Sequence, residues 1–124
     1  MLKVLEFAFV GYPVTDMSRA RAFYEGVLNL EPATTFEHDG RQWVEYEVGP
    51  HVLAVSNMAG DQWKPSSDGP GVALEVEDFD AAVAHLRAHN VIFVLEPAEF
   101  PTCRMALISD PDGNTINIHK RNAA

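Results

Sequence analysis

The chain has 124 residues and 47% apolar content, enough for a single domain with a true hydrophobic core. Its 18 acidic against 9 basic residues give a net charge of −9 with no Lys/Arg cluster, which argues against a nucleic-acid partner; the acidity favours a cationic ligand weakly, and a solvated surface that keeps the protein soluble is the stronger reading. Cys103 is the only cysteine, so no intrachain disulfide forms, and Met1-Leu2-Lys3-Val4-Leu5-Glu6-Phe7 reads as neither signal peptide nor membrane span, so a cytoplasmic location and no membrane partner are expected.

In chain order, Leu5 to Val14 is rich in Phe and Val and reads as a buried strand ending at Asp16, which has the chemistry of a helix N-cap. Ala20, Phe23, Tyr24, Val27 and Leu28 then form the apolar stripe of one amphipathic helix. Strands are predicted over Ala33–Glu37, Gln42–Val48 and Val52–Asn57, with turns at Asp39-Gly40 and Gly49-Pro50. Met58 to Pro70 contains Gly60, Gly69, Pro65 and Pro70 without periodicity and reads as a connecting loop. The plan then repeats. A strand over Gly71–Glu77 precedes Asp78 as a second N-cap, and Phe79, Ala82, Val83 and Leu86 form the stripe of a helix reaching about Asn90. Strands over Ile92–Leu95, Arg104–Ser109 and Thr115–Lys120 follow, the last two joined by Asp110-Pro111-Asp112-Gly113-Asn114.

The repetition is visible in the residues themselves. Val14-Thr15-Asp16-Met17 is answered half a chain later by Val76-Glu77-Asp78-Phe79, and Leu30-Glu31-Pro32-Ala33 by Leu95-Glu96-Pro97-Ala98. The expected fold class is α+β: two βαβββ units in tandem within one domain spanning 1–124, unit one about 1–57, linker about 58–70 and unit two about 71–120.

The segment Val14-Thr15-Asp16-Met17-Ser18-Arg19-Ala20-Arg21-Ala22-Phe23-Tyr24-Glu25-Gly26-Val27-Leu28 and the turn Asp110-Pro111-Asp112-Gly113-Asn114 resemble the vicinal oxygen chelate superfamily, which includes glyoxalase I, extradiol dioxygenases, fosfomycin-resistance enzymes and bleomycin-binding resistance proteins. The resemblance covers essentially the whole chain and identifies a scaffold rather than a reaction. It implies that each unit's sheet curls around a cavity and that the protein forms a homodimer. It also implies where a divalent ion (Mn, Fe, Ni or Zn) would be held in the family's enzymes: the four positions fall here on Phe9, Ala54, Gly71 and Asn117. Only Asn117 offers an oxygen, so no metal cofactor is expected.

Strand alternation gives the remaining candidates. If Gly71 and Asn117 face inward, so do Ala73, Glu75 and His119. Glu75 and His119 are the ionisable pair, with a raised Glu75 pKa expected if that side chain is buried, and they are the candidate catalytic residues. His85 and His89, four apart on the second helix, lack a third ligand and read as surface residues. Arg41 and Arg104 are candidates for an anionic group. Among the aromatics, Trp43 and Phe9 are expected beside the cavity, and Trp63, in a loop without core patterning, reads as a lid or ligand contact. Phe9, Trp43, Ala54, Trp63 and Asn117 are therefore the predicted ligand-binding set. The expected function is binding of a small molecule without the family metal site. The alternatives are a metal-dependent glyoxalase- or dioxygenase-like enzyme with rearranged ligands, and a metal-free lyase or isomerase.

Overall fold

Two Asp-capped helices, each laid on a four-stranded sheet, organise the chain. The computed structural model describes residues 2, 3 and 5–123. It divides into two compact units, one ending at Lys64 and the other beginning at Pro65. Unit 1 comprises β1 (Val10–Pro13), α1 (Met17–Arg21), a wider π-helical turn (Ala22–Val27), β2 (Glu31–His38), β3 (Arg41–Val48) and β4 (His51–Ser56), with a short 3₁₀ turn at Gly60–Gln62. Unit 2 comprises β5 (Ala73–Glu75), α2 (Phe79–Ala88), β6 (Ile92–Glu99), β7 (Cys103–Ser109) and β8 (Thr115–Arg121). The strand orders are β1-β4-β3-β2 and β5-β8-β7-β6, and in both units the first and last strands pair in parallel. The βαβββ plan read from the sequence is thus the observed one.

The caps are near copies. Asp16 Oδ1 accepts from the Arg19 amide and Asp78 Oδ1 from the Ala81 amide, both at 3.0 Å, so each satisfies a first-turn N–H with no intrahelical partner. The helix of unit 1 departs from the predicted single α-helix, because the Leu28 amide reaches back five residues to the Phe23 carbonyl. The smaller rotation per residue of a π turn lets the consecutive rings of Phe23 and Tyr24 both be buried, in an edge-to-face pair with centroids 5.2 Å apart. Tyr24 also stacks on Tyr46 of β3 at 6.1 Å.

Two other differences concern strand pairing. β1 begins at Val10 rather than Leu5, and its parallel pairing with β4 runs from Val10 opposite Leu53 to Pro13 opposite Ser56. The repeated Glu-Pro-Ala segments lie on the edge strands β2 and β6, which continue through the prolines with register shifts beside them. An edge strand tolerates the missing N–H of proline, and a shift there blunts pairing with another chain.

In unit 1 the helix-facing core is Tyr12, Val14, Ala20, Tyr24, Val44, Tyr46, Leu53 and Val55; in unit 2 it is Phe79, Leu86, Ala106, Ile108, Ile116 and Ile118. The Asp110–Asn114 turn closes unit 2. Asp110 Oδ1 accepts from the amides of Asp112 and Asn114, and its Oδ2 from Asn114 Nδ2, all at 2.9 Å. Gly113 supplies the positive φ of 89° that the turn requires. Among the described residues no helix is long and apolar enough to cross a membrane.

One buried polar contact ties helix to sheet in unit 1. The Tyr46 hydroxyl donates to Glu25 Oε2 at 2.9 Å, and Arg21 Nε donates to the same oxygen at 2.6 Å. Burial first, and then the Glu25 bond, push the Tyr46 phenol well above its ordinary pKa of 10.0. The folded state therefore holds this proton more tightly than the unfolded chain, so the stabilisation is complete below pH 10 and is lost as pH rises from there towards the folded value. In urea unfolding, Tyr46→Phe is expected to be less stable than the parent by about 1 kcal/mol at neutral pH, and the difference should shrink above pH 10.

Candidate functional site

Because Val44 and Tyr46 face the helix, the pleat sends Trp43 and Glu45 to the opposite face of the unit 1 sheet. Cross-strand register places Ala54 opposite Glu45 on one side and Gly11 on the other, so one row across the sheet reads Gly11, Ala54, Glu45. The next row brings Trp43 opposite Ser56. Phe9 meets Trp43 edge-to-face with centroids 5.1 Å apart, and Trp63 stacks on Trp43 at 6.5 Å and 29°. Four of the five residues predicted to bind a ligand, Phe9, Trp43, Ala54 and Trp63, are thus on this face or against it.

Trp63 is held rather than loose. The Ser56 hydroxyl donates to the Gln42 carbonyl at 2.7 Å and accepts from the Met58 amide at 2.9 Å, and Arg41 donates to the Met58 carbonyl at 3.1 Å. The 3₁₀ turn over Gly60–Gln62 then delivers the indole across Gly11. A Cβ at Gly11 would lie 2.8 Å from Trp63 Cη2, so only glycine allows this approach. Arg41, a candidate for an anionic group, is thus engaged in fixing the loop.

In unit 2, Asn117 lies opposite Ala73 and Leu107, and these residues with Ser67, Gly69 and Gly71 line a cavity of about 290 Å³. Asn117 Nδ2 makes a weak contact to Met105 Sδ at 3.5 Å, whereas its Oδ1 is buried without a hydrogen-bond partner among the described residues. A buried acceptor without a donor is costly, and a ligand N–H or O–H, or a water, would satisfy it.

Two residues further along the strands, Glu75 lies opposite His119, and Glu75 Oε1 is 2.6 Å from His119 Nδ1. Glu75 is not the buried, raised-pKa carboxylate that alternation suggested. It is exposed, and the Arg121 amide, donating to Oε2 at 2.7 Å, together with His119, holds it below the usual carboxylate range. An ionised carboxylate only accepts, so His119 Nδ1 is the donor in this contact. Proton abstraction here would therefore fall to His119, with Glu75 orienting the ring. Arg104 pairs with Asp80 at 2.7 Å and lies over the Phe79 ring, which occupies it structurally.

The donor set at the four positions implied by family resemblance does not fit a divalent ion. A phenyl ring, a methyl group and a glycine offer no ligand, and one carboxamide oxygen is too few. Among the described residues, no three His, Cys, Asp or Glu side chains cluster so as to hold a metal elsewhere.

Two units of identical strand order, each with an Asp-capped helix, match a family model described as glyoxalase/bleomycin resistance protein/dioxygenase superfamily over residues 6–118. The chain belongs to this superfamily. A superfamily relative by sequence is the uncharacterized protein YaeR of Escherichia coli (strain K12), 25% identical over 98% of this chain and 100% of that protein. Among solved superfamily-like structures, TnmS3, an antibiotic binding protein from Streptomyces sp. CB03234, superposes with a TM-score of 0.81 at 22% identity, covering 98% of this chain and 100% of its own. A glyoxalase/bleomycin resistance protein/dioxygenase superfamily member from Sphaerobacter thermophilus gives 0.76 at 24% identity, covering 97% and 100%. At these identities the structural likenesses establish the fold.

Sequence reading missed two members of the unit 1 face. Glu45 follows from Trp43 by a two-residue step along β3, a signal available once that strand's outward face is chosen. Gly11 carried no such signal, since its role depends on where a residue far along the chain lands. Gly11→Ala is expected to displace Trp63 from Trp43 and to shift and broaden tryptophan emission while the unit stays folded, as checked by fluorescence and circular dichroism.

Proposed function

We propose that the protein binds a flat organic molecule against the aromatic face of unit 1, without a resident metal. The Phe9–Trp43–Trp63 wall carries this reading: Trp43 packs against both Phe9 and Trp63, and the rings occupy the face around a position where the resemblance places a metal ligand in the family's enzymes. Stacking surface of this kind suits aromatic or planar ligands. The antibiotic-binding description of TnmS3, a protein of the same fold, supports sequestration of a small molecule over turnover. A homodimer in the cytoplasm is the assembly and place we assign to it, and its mass in solution tests the dimer.

After growth with Mn, Fe, Ni and Zn, elemental analysis of the purified protein is expected to find none in stoichiometric amount. Planar aromatic compounds should quench Trp43 and Trp63 emission saturably, and Trp43→Ala should weaken their binding about tenfold or more. One tightly held ion per chain, or no quenching across a broad panel of planar compounds, would contradict the reading.

The 2.6 Å Glu75–His119 contact favours a second reading, a metal-free lyase or isomerase in which His119 moves a proton. If a substrate screen finds turnover, both Glu75→Gln and His119→Ala should reduce it by about 100-fold or more. Unchanged turnover in both variants would remove the pair from any mechanism.

A further inference from the structure

We propose that Glu45 makes the aromatic face of unit 1 a subsite for an organic cation, one that carries an N–H-bearing positive group on a flat aromatic body. This rests on the small-molecule reading above and names the class of ligand.

Glu45 Oε2 accepts from Trp43 Nε1 at 2.9 Å, and no Lys, Arg or His among the described residues pairs with this carboxylate. Its situation differs from that of Glu25, Glu75, Glu96 and Glu99, each of which meets an arginine or histidine. Glu45 is also partly buried, beside rings rather than in open solvent. A carboxylate withdrawn from water without a cation gains most from a ligand that brings one.

The surroundings act in the same direction. The faces of Trp43, Trp63 and Phe9 carry the negative part of the ring quadrupole, which attracts a cation and disfavours an anion. Gly11, Ala54 and Glu45 share one row, and the Trp63 indole lies over Gly11, so the row that carries the carboxylate is also covered by an aromatic ring. The indole N–H fixes the orientation of Oε2, leaving the other oxygen to accept from the ligand. The net charge of −9 adds a long-range attraction for cations that salt weakens.

Three probes with a common three-ring body separate charge from shape: 9-aminoacridine, a cation at neutral pH; anthracene-9-methanol, uncharged; and anthracene-9-carboxylate. In equilibrium dialysis the parent protein is expected to bind the cation about tenfold more tightly than the alcohol, and the carboxylate most weakly. Glu45→Gln, which keeps an oxygen for the Trp43 N–H, should lower cation affinity about tenfold and leave the alcohol unchanged. Glu45→Asp should keep the preference for the cation, and matching urea midpoints should show that both variants fold.

Equal binding of cation and alcohol by the parent, or a Glu45→Gln variant that keeps the full preference, would overturn the cation proposal while the small-molecule reading stands. Failure of all three probes to bind the parent would overturn the proposal; the broader compound panel would then decide the small-molecule reading separately.

Discussion

The stack of Tyr24 on Tyr46 is the contact on which the candidate site depends. It fixes the helix of unit 1 against β3, and the Arg21–Glu25–Tyr46 hydrogen bonds lock it there. With Val44 and Tyr46 committed to the helix side, the two-residue period of the strand leaves Trp43 and Glu45 no choice but the other face. A one-residue slip of β3 would bury a carboxylate under the helix and expose two core residues. The register of the site is thus enforced by the core behind it.

Features set by neighbours in sequence were legible in the chain. The Asp16 and Asp78 caps, the apolar stripes beginning at Ala20 and Phe79, and the Asp110–Asn114 turn all formed where local chemistry placed them. Features set by distant partners were not. The start of pairing at Val10 belongs to the register between β1 and β4, and the edge positions of Pro32 and Pro97 depend on strand order. The π turn at Ala22–Val27 reflects two consecutive rings seeking one sheet, a demand that a helical stripe does not express. For the same reason the exposure of Glu75 was not legible: the side chain is not buried, and its ionised form is stabilised by the amide of Arg121, which the parallel pairing of β5 and β8 brings near.

The duplicated scaffold and its chemistry separate cleanly. Both units keep the cap, the helix and the strand order, whereas Phe9, Ala54, Gly71 and Asn117 stand where the family resemblance implies metal ligands. The scaffold alone therefore says little about activity. Our reading rests instead on side chains particular to this chain: the Phe9, Trp43 and Trp63 rings, and a carboxylate that accepts from an indole and pairs with no Lys, Arg or His among the described residues.

Trp43 and Trp63 are the only tryptophans, so the indole N–H signals in a ¹H–¹⁵N spectrum report the aromatic face directly. On saturation with a planar aromatic ligand, both indole signals and the amides of Gly11 and Ala54 should shift, while the amides of Asp112, Gly113 and Asn114 stay in place. Binding that leaves both indole signals unmoved and shifts other strands alone would contradict the assignment of this face as the ligand site.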